Sequence, residues 1–103
     1  MSYDVYVNAT ARTTVYERNV TYNNSPIFHE ALGCSFGELD GKKVKDVLSF
    51  LKSAIDDIHQ NRPKYELLSP GNGWGGVDDC LEILIGIVDT CQEFPDGEIS
   101  VVY

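Results

Sequence analysis

Three cysteines, two histidines and sixteen carboxylates are the groups in this chain that could carry chemistry. Cys34, Cys80 and Cys91 with His29 and His59 offer the donors for a zinc site on paper. Their spacing argues against one: there is no C-x2-C pair and no close pair of histidines. Cys80 and Cys91 stand three turns apart on one predicted helix face, too far for one tetrahedral ion, so they read as small buried hydrophobes. His59 falls near the end of a predicted helix, where an imidazolium suits the dipole. Asp56 and Asp57 are adjacent and point in different directions on a helix. Asp78 and Glu82 are spaced i,i+4 and read as part of an acidic surface. Ser25, Ser35 and Ser69 lack a G-x-S-x-G setting, and pairing Cys34 with His29 as a nucleophile has no positional warrant. No catalytic residue, metal ligand or cofactor-binding residue is predicted.

The glycine-rich stretch PGNGWGG, residues 70–76, satisfies G-x-G-x-x-G at Gly71, Gly73 and Gly76, with a helix predicted behind it. A dinucleotide site also needs a strand in front. Here RPKYELLSP precedes it, carrying two prolines, and Asp78 and Asp79 would compete with a phosphate at the helix start. No Lys or Ser/Thr completes a P-loop. The plain reading is a tight loop wrapping Trp74 into the core. The functional reading is a local site for a small molecule or peptide with Trp74 as its platform. A second polar stretch, Asn19 to Phe28, holds Asn19, Thr21, Tyr22, Asn23 and Asn24. These residues either hold an irregular turn through their own backbone or line a shallow recognition surface beside Trp74. The residues expected on such a surface are Asn19, Tyr22, Asn24, Asn72, Trp74, Asp78, Asp79 and Glu82.

These groups need elements to position them, and the strongest pattern lies in residues 41–61. Val44, Val47, Leu48, Leu51, Ile55 and Ile58 recur on one helical face, with Lys45, Asp46, Lys52, Asp56, Asp57 and Gln60 mostly opposite. Asp40 is the predicted N-cap, and Pro63 closes the helix. A second long helix is predicted over 76–92. Val77, Leu81, Leu84, Ile85 and Val88 form its stripe, and Cys80, Ile83, Ile87 and Cys91 broaden it, which implies burial on more than one side or a partner surface. A short helix is predicted over 26–33, with Ser25 as N-cap before Pro26 and Gly33 as its stop. Tyr65, Leu67 and Leu68 are expected to tuck under the domain.

Tyr3 to Val7 alternates as a strand, and Glu98 to Tyr103 does so again, with Ile99, Val101 and Tyr103 on one side. Thr13 to Arg18 reads as a third strand or an extended arm, and residues 19–25 as irregular chain. The prediction is one α+β domain over residues 1–103. The two end strands pair in a small antiparallel sheet, and helices cover one side. Tyr6, Tyr16 or Val102 would line the other side. So small a sheet is marginal alone, which brings a homodimer through an edge or open face into consideration.

Composition sets the outer bounds. About 43% hydrophobic residues in 103 allow a real core. Sixteen acids against eight bases leave a net charge of -8. From Asp78 to Glu98 there are seven acids and no Lys or Arg. That sign disfavours nucleic-acid phosphates and anionic lipid and suits a basic protein partner, with solubility as the plain alternative. No run reaches the ~20 apolar residues of a membrane span. The odd cysteine count and the lack of a signal-peptide pattern predict a cytoplasmic, reducing setting. There the N-x-S/T triplets at Asn8, Asn19 and Asn23 carry no weight.

The runs NVTYNNSPIF, LDGKKVKDVLSFLKSAIDDI and KYELLSPGNGWGGVDDCLEIL resemble a family of small uncharacterised proteins of bacteriophages and bacteria. The likeness covers Tyr3 to Val101, and the NGWG tetrapeptide, Asn72 to Gly75, is its most distinctive point. The family carries no assigned activity, so the resemblance implies no catalytic role for any residue. It implies an accessory role: an acidic protein that binds a basic host protein, or a small protein that captures a ligand. The expected function is therefore non-enzymatic binding of a basic protein partner. The alternatives are small-molecule capture by the Gly71–Gly76 loop and Trp74, and a small enzyme without a recognisable motif.

Overall fold

Alternation along the first ten residues sets the sheet. In the computed structural model, which describes residues 2–10, 12–70 and 75–103, β1 (Ser2–Thr10) buries Tyr3, Val5 and Val7 and turns Asp4, Tyr6 and Asn8 the other way. It is the central strand of three. β2 (Thr13–Thr21) and β3 (Glu98–Val102) pair with it antiparallel on either side, in the order β2-β1-β3. Val5 lies opposite both Arg18 and Val101, so the two ends of the chain meet in one α+β sheet as the patterns predict.

β2 runs further than its sequence suggests. Asn19, Val20 and Thr21, expected to be irregular, pair with Asp4, Tyr3 and Ser2, and Val20 is fully buried. Its alternation is obscured by an irregularity: Val7 pairs with Tyr16 but Asn8 with Thr14, which skips Val15. The register also corrects the placing of Tyr16. Its partner is the inward-facing Val7, so Tyr16 lies on the helix side, its ring over Gly86, where an added Cβ would come within 2.9 Å. Tyr6 and Val102 do lie on the open face, with Asp4, Asn8, Glu17, Asn19, Glu98 and Ser100.

The helices fill the other side. α1 (Ser25–Leu32) stops at Gly33, whose φ of 71° only glycine adopts easily and whose N–H donates to the carbonyl of His29 at 2.9 Å. Asn24, not Ser25, occupies its cap position, and Ser25 is already helical. α2 (Val44–Gln60) buries Val44, Val47, Leu51, Ala54 and Ile58, with Leu48 and Ile55 half-buried. It starts at Val44, with Lys43 in the cap position. The expected cap, Asp40, serves β3 instead: its Oδ1 accepts from the Val101 N–H at 2.8 Å. Beside it Gly41 N–H donates to Ile99 O at 2.8 Å, Ile99 N–H to Lys42 O at 2.9 Å and Val44 N–H to Gly97 O at 3.1 Å. The chain entering α2 thereby covers the outer edge of β3.

After α2 comes the single turn α3 (Arg62–Glu66), which buries Tyr65 completely. Leu67 does not tuck in: it is 87% exposed. Two residues on, a helical chain has turned by about 200°, so Tyr65 and Leu67 cannot face the same way. α4 (Val77–Glu93) buries eight side chains, among them Cys80, Ile83, Leu84 and Ile87. It packs against β1 and β2 on one side and α2 on another, which accounts for its wide apolar stripe. Ile85, assigned to that stripe, is instead 40% exposed. No helix among the described residues is long and apolar enough to cross a membrane.

Candidate interaction surface

A polar network at the start of α4 draws together part of the expected surface. Asn24 is fully buried. Its Oδ1 accepts from the Gly76 N–H at 2.9 Å and its Nδ2 donates to Asp79 Oδ2 at 2.8 Å. Gly75 stands at φ 87° against the Asn24 side chain, where a Cβ would collide with the amide oxygen. The asparagine therefore ties the end of the glycine-rich stretch to the first turn of α4. A buried amide bonded on both sides is structural before it is anything else.

Arg18 completes the network, and it is the residue the sequence reading missed. Its Nη2 donates to Asp79 Oδ1 at 2.7 Å and its Nη1 to Glu82 Oε1 at 2.8 Å, and these carboxylates hold the guanidinium in its charged form more firmly than usual. The signal was present: an arginine between Tyr16 and Val20 in a strand must share their face, and a guanidinium over a helix needs carboxylates below it. Asp78 is paired too, with Arg62 Nη2 at 2.5 Å, and Arg62 also bridges Glu66 at 3.1 Å. Three acids of the cation-free run thus take their counter-charges from β2 and α3.

The remaining expected residues do not converge there. Asn19 lies on the open sheet face, donating to Ser2 Oγ and Asp4 Oδ1, both at 3.0 Å. Tyr22 belongs to an aromatic cluster, its ring centre 5.3 Å from Tyr3 and 6.0 Å from Tyr103. Asn72 and Trp74, with the loop reading that rests on them, lie outside the described residues.

What remains exposed on α4 is a ridge. Asp78, Glu82, Ile85 and Asp89 follow one another by four, three and four residues, so they share one line along the helix, and Glu93 extends it. The ridge lies next to the side of α4 that touches β2, since Asp79, Glu82 and Gly86 meet Arg18 and Tyr16. Asp89 and Glu93 form no ion pair among the described residues.

Groups suited to covalent or acid–base chemistry are placed otherwise. Burial pushes the Cys80 thiol up strongly and Cys91 up to about 11. The half-exposed Cys34 thiol is also raised, by desolvation and then by Glu38, and lines a shallow hollow with Glu38, Leu39, Lys42, Val47 and Phe50. Near α3, Asp57 accepts a hydrogen bond from the buried Tyr65 hydroxyl, which holds its carboxyl below the usual range. Lys64 lies 3.2 Å from Glu30 and 3.8 Å from Asp57. An open cleft of about 400 Å³ beside the β1–β3 ends is lined by Asn8, Lys43, Asp96, Glu98 and Ser100. Among the described residues no three His, Cys, Asp or Glu side chains form a group able to hold a metal ion. No family model, curated protein or solved structure compared with the chain matches it.

Proposed function

We propose that this protein is a non-enzymatic, acidic interaction protein whose partner is a basic protein, and that its contact surface is the outer ridge of α4. The observation that carries this reading is the ridge itself: Asp78, Glu82, Asp89 and Glu93 in line around the exposed Ile85. Asp78 and Glu82 already hold Arg62 and Arg18, but Asp89 and Glu93 form no ion pair among the described residues. An exposed apolar side chain beside such acids suits a partner that brings an apolar contact beside cations. The net charge of -8 would speed such an encounter at low salt. An accessory role in a bacterium or bacteriophage, in the cytoplasm, fits the family resemblance and the free thiols. A homodimer has less support, because two copies carrying this charge repel each other.

The enzyme reading draws little from the site. Tyr3, Tyr65, Cys80 and Cys91 are raised chiefly by burial, and none of them lines the clefts described above. The Cys34 thiol does line a hollow, but a raised pKa keeps it protonated and a poor nucleophile.

The test is affinity capture on the immobilised protein at low and moderate salt, beside a variant carrying Asp89→Lys and Glu93→Lys. Basic proteins retained by the parent and lost by the variant support the proposal. Retention indifferent to both the substitutions and the salt would overturn it.

A further inference from the structure

The two edges of the sheet are treated differently. The outer edge of β3 is covered by the chain entering α2, which satisfies Gly97 O, Ile99 N and O, and Val101 N. Among the described residues the outer edge of β2 has no such cover: none of their backbone hydrogen bonds outside the strand ladders and helices involves residues 13–21. β2 is nine residues long. It carries neither lysine nor proline, which commonly blunt exposed edges.

α4 runs beneath β2, and helical geometry says what a fourth strand would meet. At about 100° per residue, the core-facing Ile83 and Ile87, the β2-facing Asp79 and Gly86, and the exposed Glu82, Ile85 and Asp89 follow one another around the helix. The exposed ridge is thus the part of α4 lying beyond the β2 edge. A strand added there would rest alternate side chains on Glu82, Ile85 and Asp89. Its other side chains would lie beside Glu17, which is exposed on the open face. Both flanks of the vacant edge are therefore acidic. Of the two cations along this stretch, Arg18 is already engaged by Asp79 and Glu82, and Arg12 stands exposed just before the strand begins.

We propose that the β2 edge, together with the α4 ridge beneath it, binds an extended lysine- or arginine-bearing segment of the partner by strand addition. Backbone hydrogen bonds to β2 supply affinity, and alternate side chains supply selection: cations over Glu82 and Asp89, with an apolar residue over Ile85. Charge decides the occupant. A second copy of this chain would bring Glu17 and the α4 acids against their own counterparts, whereas a basic strand neutralises both flanks. This inference rests on the interaction reading above and adds the mode of binding to it.

The probe is a capped peptide of the length of β2 in which lysine alternates with threonine around one central isoleucine. Its control is the same peptide methylated at every backbone amide, which keeps the charge but cannot pair. Binding is followed by amide chemical shifts and hydrogen exchange across Thr13–Thr21. The expected result is slowed exchange of the outward β2 amides, binding weakened about tenfold by methylation, and binding weakened about fivefold in the exposed-site variant Asp89→Lys. If both peptides bind alike and the shifts fall on α4 without protection of β2, strand addition is overturned while the interaction reading stands. If neither binds at low salt, both are overturned. If β2 amides are protected without peptide and the solution mass is doubled, the edge belongs to a second copy and the proposed occupant is wrong.

Discussion

Replacing Asn24 with alanine removes two hydrogen bonds and leaves the buried Gly76 N–H unsatisfied, while the part-exposed Asp79 oxygen can turn to water. The expected loss is about 2–3 kcal/mol, read as a shift in the urea midpoint. Arg18→Met should cost less, about 1 kcal/mol or below, although it breaks two ion pairs. Arg18 and Asp79 each remain 30% exposed and Glu82 70%, so water screens and replaces much of what is lost. The ordering of these two variants is the informative result, because it separates burial from charge as the origin of the network's stability. Asn24 was singled out in the sequence as one of several polar residues and looked like a recognition group. Its depth could not be read there, since a short stretch of asparagines shows no period that separates an inside from an outside.

Among the elements, the two sheet edges make opposite predictions. Asp40→Ala should free the Val101 N–H, cost about 1 kcal/mol and speed exchange of that amide. In the free protein the outward amides of β2 should exchange faster than those of β1, which is paired on both sides. The long helices and the end strands were legible because each repeats its apolar residues at its own period. β2 was only half legible. The skipped residue at Val15 interrupts a period of two, and the polar Asn19 and Thr21 hide a strand that exists because β1 is there to pair with it.

For the molecule as a whole, the buried acids that keep their protons link stability to alkaline pH. The Cys91 thiol is raised from 9.0 to about 11, and Cys80, Tyr3 and Tyr65 are raised as well, all chiefly by burial. Once the pH passes 9 for the thiols and 10 for the phenols, the unfolded chain releases these protons while the folded chain still holds them. Stability present below pH 9 is therefore lost as pH rises through the folded values. The melting temperature should fall steadily above pH 9, and Cys91→Val should make the fall shallower. The same burial predicts thiol labelling: at pH 8 in native buffer the accessible Cys34 reacts, more slowly than a free thiol, while Cys80 and Cys91 react only after denaturation.

Amino-acid order alone determined which segments are helix and which end segments are strand, because apolar period and glycine or proline stops are local properties. It determined the charge, and with it the sign of the partner proposed here. Only the tertiary structure decided that Arg18 and Arg62 neutralise three acids of the cation-free run, that Tyr16 faces the helices, that Asp40 serves a strand instead of a helix, and that one sheet edge is covered while the other meets no backbone partner among the described residues. Each of these joins residues distant in the chain, and no local pattern records which of them will meet. That is settled when the sheet and α4 pack together and every buried polar group must find a partner.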